Sequence, residues 1–93
     1  MIISNLTNQK GNKVANQFVI TENGKFIFQS YDSKIAEYDI ETRELKIFEG
    51  WDYSKTTMKY FKQFIENETC YNYGTKANFE KTYKSHDKVK FII

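Results

Sequence analysis

Cys70 and His86 are the only thiol and the only imidazole in the 93 residues. They could supply a nucleophile and a base, but their spacing places neither within reach of the other, and no third group is indicated to orient such a pair. One Cys and one His do not make a zinc site, which draws on several such ligands. Asp32, Glu37, Asp39, Glu41 and Glu44 crowd into one stretch, yet they lack the ligand spacing of a calcium loop. An acidic surface imitating nucleic acid is diluted by Lys34, Arg43 and Lys46. No catalytic residue, metal ligand or cofactor is assigned, and the chain is expected to be non-enzymatic.

Binding chemistry is better represented. The segment Gln29-Ser30-Tyr31-Asp32-Ser33 combines hydroxyls with an aromatic ring, the mixture that gives recognition loops contact area and adaptable hydrogen bonds. The plainer reading is a turn that caps the strand and packs Tyr31 on the core. Trp51-Asp52-Tyr53 and Ser54-Lys55-Thr56-Thr57 carry the same two readings: a second contact surface, or a core plug followed by a helix cap. Lys55, Lys59 and Lys62 fall on one helical face. With Lys76, Lys81, Lys84, Lys88 and Lys90 they could form a phosphate-binding patch, and Tyr53, Tyr60 and Tyr83 could stack on bases; a lysine-solvated helix face is the plainer reading. Gln29, Tyr31, Asp32, Trp51, Tyr53, Lys55, Lys59 and Lys62 are the candidate partner-binding residues.

The elements that would carry them follow from periodicity. Met58, Phe61 and Ile65, with Thr57 and Phe64 beside them, recur at helical spacing, which predicts an amphipathic helix from about Lys55 to Asn67 capped by Asp52 or Ser54. Strands precede it. Met1 to Ile3 reads as an edge strand and Asn8 to Lys13 as a turn. From Ala15 onward Phe18 and Ile20 alternate with Val19 and Thr21, and Asn23-Gly24 supplies a hairpin turn that returns through Lys25 to Ser30. After the Tyr31-Asp32-Ser33 turn, a strand is expected from about Lys34 to Ile40, with one face apolar and the other largely wet. Glu41 to Glu44 turns the chain into a fourth strand, Leu45 to Phe48. Thr69 to Gly74 reads as loop, Thr75 as the cap of a short helix from Lys76 to Lys84, and Lys88 to Ile93 as a last strand. The expected fold is a single α+β domain over residues 1–93: an antiparallel meander of four to five strands packed against one main helix, with a short C-terminal helix and strand.

Composition sets the outer bounds. Eight Phe, seven Tyr and one Trp supply the bulky groups that a small core needs. No apolar run approaches the length of a membrane span, so no membrane partner is expected. The opening residues lack the basic flank and apolar stretch of a secretion leader. A lone Cys agrees with a reducing compartment, and a cytoplasmic location is expected. The acceptor patterns Asn5-Leu6-Thr7 and Asn67-Glu68-Thr69 are accordingly not expected to be glycosylated. The net charge is +2, with the positive excess in the half after Gly50. All but one of the 14 cations are Lys, which leaves little support for bidentate arginine readout of phosphates or bases. The preference for Lys, Asn, Ile, Tyr and Phe over Gly, Ala, Arg and Pro points to an AT-rich genome.

Asn16-Gln17-Phe18, Phe28-Gln29-Ser30-Tyr31-Asp32-Ser33 with Ile35-Ala36, and Trp51-Asp52-Tyr53-Ser54-Lys55-Thr56-Thr57 with Lys59-Tyr60 and Phe64 together resemble a family of short proteins encoded by phages and prophages of AT-rich Gram-positive bacteria. The likeness spans about residues 13–65, and the ending from Thr75 is similar in kind. The family has no assigned activity, so no functional residue carries over from it. The resemblance implies a genomic setting among genes that disarm host defences, where anti-CRISPR proteins are of similar size. It leads to the expectation of a phage accessory protein that binds and inhibits a host defence protein, such as a Cas nuclease or its guide-RNA complex. The alternatives are a small nucleic-acid-binding protein using the lysine face, and an assembly protein whose partner is its own copy.

Overall fold

The computed structural model describes residues 1–92. Six strands, β1 (Ile2–Thr7), β2 (Lys13–Glu22), β3 (Lys25–Ser30), β4 (Ser33–Asp39), β5 (Leu45–Phe48) and β6 (Val89–Ile92), lie side by side in chain order, with α1 (Lys55–Glu68) and α2 (Lys76–Tyr83) between β5 and β6. The first five strands pair antiparallel and the sixth joins β5 in parallel. Short turns suffice for antiparallel neighbours, whereas a parallel pair needs a long crossover, and the two helices supply it. The α+β meander expected from the sequence is present, extended to six strands because the first and last segments both join the sheet. Ile93, the end of the expected final strand, lies outside the described residues.

The core face is set by register. Val19, Phe28, Ala36 and Ile47 stand opposite one another across β2 to β5, and all are buried. Thr57, Tyr60, Phe61, Phe64 and Ile65 of α1 are buried with them, Phe64 stacking on Phe28 at 5.7 Å. Met58 is only half-buried, and Tyr60 takes the place in the core expected for it. The stripe is therefore rotated slightly from the expected one, so that Tyr60 is not available for stacking on bases. Trp51 packs on Phe61, Phe79 and Phe91 at 5.4, 5.9 and 5.8 Å, tying α1, α2 and β6 to one indole.

The Thr69-to-Gly74 segment is loop, as expected, but it is not idle. Tyr71 and Tyr73 are buried, and the Tyr71 hydroxyl donates to Arg43 O at 2.6 Å, fastening this loop to the β4–β5 turn. Within β4 the alternation expected from Lys34 to Ile40 fails at both ends. A register shift sets Phe28 opposite Ala36 and Gln29 opposite Lys34, leaving Ile35 as an extra residue. An extra residue bends the strand and re-aims its side chain; Ile35 is buried alongside Ala36 on the stretch expected to be wet. Ile40 falls in the following turn, where it is 44% exposed.

Candidate functional site

The bend in β4 and the start of α1 face one another across a cleft. Its volume is about 310 Å³, and it is lined by Ser30, Tyr31, Ser33, Ile35, Gly50, Tyr53 and Thr57. Two separate candidate segments of the sequence, Gln29–Ser33 and Trp51–Thr57, thus meet at one place. No charged side chain is among the lining residues. The volume is near the lower end for ligand pockets, room for one large side chain of a partner.

Each wall is held by local chemistry. Ser54 caps α1: its Oγ accepts from Thr57 N–H at 3.1 Å, satisfying an amide that the helix itself leaves free. The same Oγ donates to Thr57 Oγ1 at 3.1 Å, and Thr57 Oγ1 lies 3.2 Å from Ser30 Oγ. A chain of three hydroxyls therefore joins the helix start to the end of β3, and buried hydroxyls satisfied in this way rigidify the elements they link. Ser54, not Asp52, is the cap; Asp52 instead pairs with Lys76 at 3.2 Å. Gly50 turns the chain at φ +96°, a left-handed conformation that side chains resist, and Tyr53 N–H donates to Gly50 O at 3.1 Å.

The rim consists of two tyrosines. Tyr53 is 87% exposed and Tyr31 is 55% exposed. Tyr31 occupies the left-handed region at φ 56°, where Gly or Asn would sit more easily. The strain is held by two short hydrogen bonds: Tyr31 N–H donates to Asn16 O at 2.7 Å, and Gln29 Nε2 donates to Tyr31 O at 2.7 Å. The segment turns the chain between Ser30 and Ser33, as the turn reading expects, but the Tyr31 ring is not part of the core. The two-residue turn between Ser30 and Ser33 sets this conformation, and it carries the Tyr31 ring out to the edge of the cleft.

The other candidates are dispersed. Trp51 is buried at 2% exposure and cannot meet a partner; it is the core plug of the two readings. Gln29 serves the turn and lines an outer-face hollow with Ile3, Phe18 and Ile20. Asp32 is exposed beside Tyr31 but does not line the cleft. Lys55, Lys59 and Lys62 are exposed on α1, yet Lys59 shares a different hollow with Asn8, Gln9 and Lys10. Lys76 and Lys88 are engaged within the molecule, by Asp52 and Glu80 and by Thr42 O respectively. Ile35 and Gly50 were not among the sequence candidates. Gly50, standing alone between a strand and Trp51, was the available signal for a forced turn.

Several other titratable groups have structural occupations. Lys34, hydrogen-bonded at 2.8 Å, lowers the Glu37 carboxyl below its ordinary range, with Lys25 and Lys46 assisting at 3.6 and 3.9 Å. Asp39 accepts from the amides of Thr42 and Glu41, and the Thr42 amide above all lowers its pKa. Of the acidic stretch, Glu37 is thereby paired with lysines and Asp39 is used in a turn. Burial, then the Cys70 thiol, pushes the Tyr71 phenol up to about 12. His86 Nδ1 accepts from Lys88 N–H at 3.1 Å, and its ring rests on Tyr71 and Tyr83. Among the described residues no cluster of three or more His, Cys, Asp or Glu is arranged to hold a metal ion, and no helix is long and apolar enough to cross a membrane.

Residues 1–81 match the family model described as Family of unknown function (DUF8033). The chain belongs to this family. The matched span runs from β1 into α2 and contains every residue that lines the cleft. No curated protein and no solved structure matches the chain.

Proposed function

We propose that this chain is a non-enzymatic binding protein whose contact surface is the Tyr31–Tyr53 rim and the cleft between them. The observation that supports this most is the strained, exposed Tyr31 facing the exposed Tyr53 over a floor without charge. Aromatic rings at the edge of an uncharged recess suit a partner that inserts an apolar or aromatic side chain, since such anchors dominate protein interfaces. The floor offers hydroxyls for orientation, and the Ser54–Thr57–Ser30 chain holds both walls, so little ordering is needed on binding.

In the biological setting that the resemblance implies, the partner is a bacterial host defence protein of the CRISPR–Cas effector class, bound in the cytoplasm by a phage-encoded inhibitor that acts by occlusion. The decisive experiment is interference: the chain is expressed in a Gram-positive host with an active CRISPR–Cas system, which is then challenged with a targeted plasmid. Rescue of the plasmid by the natural chain, lost on Y31A/Y53A, supports the reading. No rescue in hosts spanning the effector types defeats it. If function instead follows the Lys55, Lys59 and Lys62 face and binding decays steeply with salt, the chain is a nucleic-acid binder.

A further inference from the structure

The sheet has two edges, β1 and β6, and their side chains differ. An exposed, regular, uncharged edge is a template for pairing with another strand, and lysines, prolines or bulges normally blunt it. β6 carries an exposed Lys90 preceded by Lys88. β1 carries no charged residue, and its Ile2 and Ile3 are 65% and 56% exposed. The bulge in β1 comes only after Asn5, so Ile2 to Asn5 stay in regular register with Thr21 to Phe18. Ile3 stands opposite Ile20 and Ile20 opposite Ile27, a row of isoleucines across the outer face. A shallow hollow of about 210 Å³ lined by Ile3, Phe18, Ile20 and Gln29 lies beside that row.

We propose that the β1 edge pairs antiparallel with β1 of a second copy about a two-fold axis, with Ile3 opposite Ile3, so that the isoleucine row runs unbroken through both sheets. A two-fold axis sets a strand against itself, and neighbours in a continuous sheet must share a face. The Ile3–Ile3 register meets this requirement and places Ile2 opposite Ser4. No charge is brought against a like charge, and β-branched residues meet across the ladder, a favourable pairing. A two-fold pairing centred on Lys90 in β6 would oppose Lys90 to Lys90, which is unfavourable, and every register of that short strand carries the Lys90 of both copies into the ladder. Self-pairing is therefore chemically more favourable at β1 than at β6. No residue of β1 lines the Tyr31–Tyr53 cleft.

Sedimentation equilibrium of the full chain over a wide concentration range tests the proposal. The mass should rise from 11.1 kDa toward twice that value, I3K should abolish the rise, and K90E should not. Hydrogen exchange on the natural chain provides a readout that needs no variant: outward-facing amides of Ile2 to Asn5 should gain protection as concentration increases. A monomer at every concentration, a dimer indifferent to I3K in a folded variant, or β1 amides whose exchange is independent of concentration would each overturn it.

Discussion

Ser30 Oγ and Thr57 Oγ1 lie 3.2 Å apart in the buried seam between β3 and α1. Both residues are almost fully enclosed, and both line the cleft. The pair couples stability to site geometry, because removing the Thr57 hydroxyl leaves Ser30 short of a partner. T57V, which keeps shape but removes the hydroxyl, should cost about 1–3 kcal/mol. Thermal unfolding would show this as a fall of about 4–8 °C for each kcal/mol in a domain of this size. S30A/T57V should recover part of the loss, since removing both partners leaves no orphan.

The cap makes a second prediction. S54A should destabilise by about 1 kcal/mol, whereas S54G should cost only a few tenths. Urea unfolding of both variants checks the pair; equal losses would mean that Ser54 matters through its bond to Thr57 Oγ1 and not through capping.

Tyr31 separates folding from binding. Asn tolerates the left-handed backbone that Tyr31 adopts at φ 56°, and Tyr31 buries little. Y31N should therefore unfold at the same temperature or higher, with a gain of up to about 1 kcal/mol, while losing its partner. A clear loss of stability in Y31N would show that the ring belongs to the fold after all.

The phenols govern alkaline behaviour. Tyr71 ionises near 12 in the folded chain against an ordinary value of 10.0. Below pH 10 both folded and unfolded chains hold this proton, so its contribution is fully present there. Between pH 10 and about 12 the unfolded chain sheds the proton first, and stability should fall as pH rises through that window. Burial also raises Tyr38 and Tyr73, so Y71F should flatten the decline only in part. Denaturant midpoints followed across the window measure it.

Much of the architecture could be read from local chemistry. Asn23-Gly24, the Ser54 and Thr75 caps and the helical spacing from Thr57 to Ile65 each act within a few residues of themselves, so their effect is visible in the chain. What was hidden depends on partners distant in sequence. Ile35 becomes buried because a bulge opposite Phe28 re-aims it; Tyr60 rather than Met58 is enclosed in the core, a choice that rests on what the sheet presents to the helix. The parallel pairing of β6 with β5 across both helices is likewise a tertiary event. For the site, both halves of the cleft were present as separate candidate segments, but nothing local could say that they meet. Trp51 carries both readings in the sequence, because an aromatic at a helix start looks the same whether it plugs the core or waits for a partner; its burial decides for the core.

The most direct test of the binding surface is capture of partners from the lysate of a defence-active Gram-positive host, using the natural chain, Y31N/Y53S and K59E side by side with nuclease treatment and high salt. One defence protein should be retained by the natural chain and by K59E, and lost by Y31N/Y53S. Retention by the tyrosine variant, or recovery only of material that vanishes with nuclease, would contradict it.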